Sequence, residues 1–155
     1  NQVKFIHKKD LVKKGLYDKW KVFIPYAWGN WSKNYLGGAY SDLIVAGPGV
    51  IAVETYIEYG PFMDKETATR AAKYLLTQFA RGLIFAKKKS QHTTRSEFEY
   101  VPTQTFDETW WSGSVDAIQD KLFEKYNTPK DIQLFIKTNI QKKTSKNLTI
   151  VVHDV

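Results

Sequence analysis

A chain of 155 residues that is 43% apolar and 15% aromatic carries enough hydrophobic material for one packed domain, which excludes wholesale disorder. It has no cysteine, so disulfides and thiolate metal sites are excluded and a reducing, cytoplasmic setting is expected. The net charge is +7, and residues 67–96 hold seven basic side chains (Arg70, Lys73, Arg81, Lys87, Lys88, Lys89, Arg95) and no acidic one, leaving 16 of the 23 basic residues to face 16 acidic ones. A positive excess concentrated in one segment suits a phosphate backbone.

The opening "NQVKFIHKKD" lacks both an initiator Met and an apolar signal core, so a piece of a larger protein is expected. No apolar run approaches the roughly 20 residues needed to cross a membrane. No repeat or linker divides the chain, so residues 1–155 are read as a single unit, with an α/β core over about 1–110 and a helical hairpin over about 112–143.

"WKVFIPYAW", residues 20–28, predicts a strand ending near Pro25, and the Gly-, Asn- and aromatic-rich stretch 29–41 predicts a loop. Two β-branched runs follow around Gly47-Pro48-Gly49 and predict a pair of strands, the second carrying Val50, Ala52, Glu54, Tyr56 and Glu58 on one face. Asp64 is placed to cap a long helix over 65–89, with Ala68, Ala71, Ala72, Leu75, Leu76, Phe79, Leu83 and Ala86 at helical spacing. "EFEYVP" alternates polar and apolar residues and predicts a short strand stopped at Pro102. Ser114 is placed to start a helix bearing Ile118 and Leu122. Thr128-Pro129-Lys130-Asp131 resembles a capping box opening a second helix, with Ile132, Phe135, Ile136 and Ile140 as its apolar stripe. "NLTIVVHDV" is β-prone, with no partner evident from the sequence. The fold class expected is α+β: a small mixed or antiparallel sheet packed on one long helix, followed by the hairpin.

Candidate chemistry narrows quickly. Asp42 and Glu54 have roughly the separation of the acidic pair in a metal-dependent nuclease, but Tyr56 stands where the lysine of that motif belongs. His7, His92 and His153 are scattered, so no metal site is expected. There is no Gly-rich phosphate loop before a helix, no GxSxG, and "IPYAWG" is not the tetrad of an adenine methyltransferase. No catalytic residue is therefore assigned. "KKKSQHTTR", residues 87–95, instead combines side chains that read base edges (Gln91, His92, Thr93, Thr94, Arg95) with lysines that hold phosphates. Lys87, Lys88, Lys89 and Arg81 are the expected phosphate contacts, although lysines at a helix end also favour the carbonyl dipoles there. The loop residues Asn30, Trp31, Ser32, Lys33 and Asn34 form a second candidate set.

The order of short motifs is also informative. Glu54-Thr55-Tyr56, Gly60-Pro61-Phe62, Gln91-His92-Thr93-Thr94-Arg95 and Val101-Pro102-Thr103-Gln104-Thr105-Phe106 follow one another, and Leu122–Tyr126 and Ile132–Ile136 come after them. This order, over roughly residues 20–142, resembles the C-terminal specificity region of bacterial restriction–modification proteins, adenine-N6 methyltransferases of which some are fused to a nuclease. The sequence "TQTF" replaces the acidic turn of that pattern, and residues 144–155 follow none of it. The resemblance implies a target recognition domain that selects double-stranded DNA for covalently linked methyltransferase or nuclease domains. The chain itself would then be non-catalytic and carry no cofactor, S-adenosylmethionine and Mg²⁺ belonging to the parent protein. A free-standing metal-dependent nuclease and a protein-interaction module are the alternatives.

Overall fold

A computed structural model describes residues 15–26, 40–88 and 92–152. Four strands, β1 (Trp20–Pro25), β2 (Leu43–Ala46), β3 (Tyr56–Phe62) and β4 (Leu148–Val151), form one mixed sheet in the order β3-β1-β2-β4. β1 is antiparallel to both neighbours, whereas β4 lies parallel to β2, with Leu43 opposite Leu148 and Ala46 opposite Val151. The chain thus has an α+β architecture, and "NLTIVV" finds its place as the strand beside β2.

The two β-branched runs do not pair with each other, because β1 lies between them. The second strand also starts later than its β-propensity predicts. Residues 50–55 are irregular, Ile51 and Val53 are exposed, and the first ladder residue is Tyr56. The ladder between β1 and β3 runs from Trp20 to Pro25, where Tyr56 is the last partner, so the run 50–53 lies beyond the end of that ladder. Gly60, at φ 154°, lies beside the register shift opposite Trp20 and Val22, where an added Cβ would sit 3.2 Å from the Trp20 carbonyl oxygen.

Asp64 caps α1 (Lys65–Leu76) by accepting from the Thr67 amide at 2.7 Å. The expected single helix over 65–89 is in fact two. α1 ends at Thr77, whose extended backbone (φ −61°, ψ 145°) separates it from α2 (Gln78–Lys87). The fully buried Thr77 hydroxyl donates to the Tyr74 carbonyl at 2.6 Å and accepts from the Ala80 amide at 3.2 Å, ending one helix and capping the next. The buried first-turn amide of Gln78 donates to Gln119 Oε1 at 2.7 Å.

Ala68, Ala71 and Ala72 are fully buried and let α1 lie close against Val22, Ile24 and Val45 of the sheet. α3 (Val115–Lys125), capped by Ser114 as expected, and α4 (Lys130–Asn139) pack on the far side of α1 and α2. Val115, Ile118, Leu122, Phe123, Ile136 and Ile140 of this hairpin join the same hydrophobic cluster as the sheet. The capping box at Thr128 does not form. Pro129 is the N-cap, with no side-chain cap bond, and Gln133 Nε2 donates instead to the Thr128 carbonyl at 2.8 Å. Only half of the α4 stripe is covered, since Ile136 and Ile140 are buried while Ile132 and Phe135 are exposed.

The Thr77 cap gives a direct test. Thr77→Ala removes both bonds while leaving the two helices' apolar contacts, and should lower unfolding free energy by about 1–2 kcal/mol in urea titrations. Thr77→Ser retains the hydroxyl and should recover most of that loss.

Candidate nucleic-acid interface

The segment after α2 is joined to the end of β1. The Thr93 amide donates to the Tyr26 carbonyl at 2.6 Å, and the His92 ring lies 5.0 Å from the Tyr26 ring, tilted by 32°. Tyr26 is also the residue from which the chain enters 27–39, which contains the second candidate set. Asn30, Trp31, Ser32, Lys33 and Asn34 lie outside the described residues, as do Lys89 and Gln91.

Beyond Thr93 the backbone does not form the expected strand. Arg95–Tyr100 is a 3₁₀ helix. The Glu97 carboxylate accepts from both the amide and the hydroxyl of Thr94, the latter at 2.7 Å, and this reciprocal cap bends the chain. The apparent alternation in "EFEY" therefore had another cause, since Glu97 is buried by its capping role and Phe98 is half-buried against the core. The turn leaves His92, Arg95, Ser96 and Tyr100 exposed, with the Ser96 and Thr94 hydroxyls 2.8 Å apart.

The basic side chains that adjoin one another in sequence separate in space. Arg70 pairs with Glu66 at 2.5 Å and donates to the Phe106 carbonyl at 2.8 Å, holding that residue in its left-handed conformation (φ 64°). Lys73 Nζ donates to the carbonyls of Ser112 and Gly113 at 3.1 and 2.9 Å. Lys87 forms an ion pair with Glu99 and lies 4.6 Å from the centre of the Tyr100 ring. Lys88 is half-buried and donates to Thr93 Oγ1 at 2.8 Å; burial lowers its pKa, against the opposing charge of Glu97.

Two expected contacts are corrected by burial. Arg81 has 0% of its surface exposed, so its guanidinium does not reach a phosphate. It donates through Nη1 to the Gln141 carbonyl at 2.8 Å and sits 5.9 Å from the Tyr40 ring, while Nε and Nη2 have no partner among the described residues. Burial depresses its pKa, opposed by the nearby charges of Tyr40 and Asp42. Thr93 is likewise at 0% exposure, so it supports the segment from beneath and presents nothing to a base. The edge that remains from the original set is Lys87, Lys88, His92, Thr94 and Arg95. Tyr26, Ser96 and Tyr100 are additions that the sequence did not single out. Only their lack of burial distinguishes them, and that depends on the 3₁₀ turn.

Asp42 and Glu54, weighed as a nuclease pair, precede strands that β1 separates in the sheet. Asp42 Oδ1 accepts from Lys143 Nζ at 3.0 Å and from Asn147 Nδ2 at 2.9 Å, and Glu54 sits in the turn before β3. Partial burial raises the Asp42 pKa, but the two hydrogen bonds and the Lys143 charge outweigh it, and the net shift is downward. Asp42 thus anchors the turn that leads into β4. Among the described residues no group of three or more His, Asp or Glu side chains is gathered as a metal site would require.

Arg81 can be tested as a buried structural cation. Arg81→Met keeps the length of the side chain and removes two unpaired buried donors, so its unfolding free energy should equal or exceed that of the wild type. Arg81→Ala leaves a void as well and should cost about 2–4 kcal/mol by chemical denaturation.

No family model, curated protein or solved structure matches this chain.

Proposed function

We propose that the chain is a sequence-specific double-stranded DNA recognition module of a restriction–modification enzyme, working in the cytoplasm and directing covalently linked methyltransferase or nuclease domains. The observation that carries this reading is that the motif segments come together. Tyr56–Phe62 is β3, His92 and Thr93 are stitched to the end of β1 beside it, and Arg95–Tyr100 turns back over the same end of the sheet. In this reading Arg95, His92 and Gln91 approach base edges, and Lys88 and Lys89 hold phosphates. Thr94 serves mainly to set the turn. Chemistry, S-adenosylmethionine and Mg²⁺ belong to other domains of the parent protein.

Lys87 has a conditional part. Its charge is matched by Glu99 on the exposed edge, so it attracts a phosphate only as far as that pair opens. Glu99 accordingly acts as a brake on non-specific affinity.

One specific observation favours a second reading, a protein-interaction module. Ile132 and Phe135 of α4, neighbours at i,i+3 spacing, are 46% and 51% exposed, and Leu134 beside Phe135 in the sequence is 67% exposed. The two readings differ in their response to salt. DNA binding followed by fluorescence anisotropy should fall steeply between about 50 and 200 mM salt, whereas an apolar protein contact should persist.

Within the DNA reading, Lys88→Ala with Lys89→Ala should weaken all duplexes alike and flatten the salt dependence by about 0.9 per lost contact. Glu99→Gln should do the opposite. Arg95→Gln should change sequence preference, by about 1–3 kcal/mol at a single base pair in selection from a random pool. Salt-independent binding, or a double-lysine variant that binds like wild type, would rule out the assignment.

A further inference from the structure

A cavity of about 220 Å³ lies between the sheet and the turn that follows the candidate interface. Ile24 and Ile57 of the sheet, Leu75 of α1, and Phe98 and Val101 beyond α2 give it largely apolar walls. A cavity of about 150 Å³ lined by such side chains accepts benzene, so this one, open to solvent on one side, is large enough for a single ring.

Two polar groups in the lining give the space a chemical preference. Arg95 is its one cation, exposed to solvent and in no ion pair among the described residues. Tyr59 is half-buried in the lining, and its hydroxyl makes no hydrogen bond among the described residues. Burial raises the pKa of this phenol, which keeps it protonated and therefore a donor. Glu58 also lines the cavity from β3, but strand alternation turns its side chain to the opposite face, where its Oε2 lies against Gly15 and its charge acts on Lys21. The carboxylate that would repel an anion is thus turned away.

We propose that this cavity is a binding site for a small single-ring aromatic carboxylate, its ring between Ile24, Ile57, Leu75 and Phe98 and its carboxylate on Arg95. The ring meets the edges and faces of Phe98 and Tyr59, an arrangement aromatic pairs favour. The guanidinium supplies the paired donors that a carboxylate accepts, and the Tyr59 hydroxyl adds a further donor within the same lining. The site shares Arg95 with the proposed base-reading edge but does not rest on that edge binding DNA.

The test uses the whole chain without DNA, with benzoate, benzyl alcohol and acetate as probes and methyl NMR as the readout. Benzoate should bind saturably, with a Kd on the order of a millimolar, and shift the methyls of Ile24, Ile57, Leu75 and Val101. Benzyl alcohol, with the ring but no charge, should bind about tenfold more weakly, and acetate should shift none of these methyls. Arg95→Gln, at an exposed position, should weaken benzoate about tenfold and leave benzyl alcohol unchanged. Equal affinity for benzoate and benzyl alcohol, or an Arg95→Gln variant that binds benzoate like wild type, would overturn the carboxylate pairing. The absence of saturable shifts at those methyls would overturn the site itself.

Discussion

The arrangement of this domain depends on a pair of buried amides where α1 gives way to α2. The Gln78 amide donates to Gln119 Oε1, Gln119 Nε2 donates back to Gln78 Oε1 at 3.3 Å, and Gln78 Nε2 reaches the carbonyls of Lys137 and Ile140. Breaking a helix in the core exposes backbone groups that cost free energy unless they are satisfied. Here Thr77 bonds on both sides of the break and Gln119 takes up the Gln78 amide, and the Gln78 and Gln119 side chains fasten the hairpin of α3 and α4. The direction of α2 follows from that join. Its last turn points toward the end of β1, where the Tyr26 carbonyl receives the Thr93 amide.

Charge shows the same dependence on the third dimension. Seven basic residues in one stretch of sequence suggest a single positive face, but the fold divides them by depth and direction. Arg70 and Lys73 tie α1 to the loops around Phe106 and Ser112, and Arg81 is enclosed beside Tyr40. The described members of that stretch left toward solvent lie at the end of α2 and in the turn after it, and Glu99 offsets the charge of Lys87. A lysine run at a helix end therefore combines two roles. Lys87 and Lys88 serve the local structure through Glu99, Tyr100 and Thr93, and any role toward a polyanion comes in addition.

Much of the fold was legible in the residues. Asp64 and Ser114 stand where helix caps must stand, the alanine and leucine spacing marks the buried side of α1, "WKVFIP" marks β1, and the first β-branched run marks β2. The α+β class follows from those elements. What escaped the sequence was decided by contacts distant along the chain. Thr77 looks like one more tolerated residue in a helix until Gln119 is seen to meet the broken end. The alternation in "EFEY" reads as a strand because nothing local reveals that Glu97 folds back onto Thr94. Of the candidate site, the residue types at 92, 94 and 95 were legible, but the depth of Arg81 and Thr93 was not. A helix-period position tells which side a residue faces, and the hairpin that covers Arg81 arrives some sixty residues later, at Gln141.

The parallel pairing of β4 with β2 has a consequence for the order of assembly. Residues 43–46 acquire their outer neighbour only when residues 148–151 have been made. While the chain emerges from the ribosome, β2 therefore presents an open edge of backbone amides and carbonyls, and such edges recruit strands from other molecules. Closing the sheet also spans nearly the whole described sequence, a topology that slows folding. Synthesis thus passes through an interval in which the helices can be in place while the sheet still lacks its outer strand.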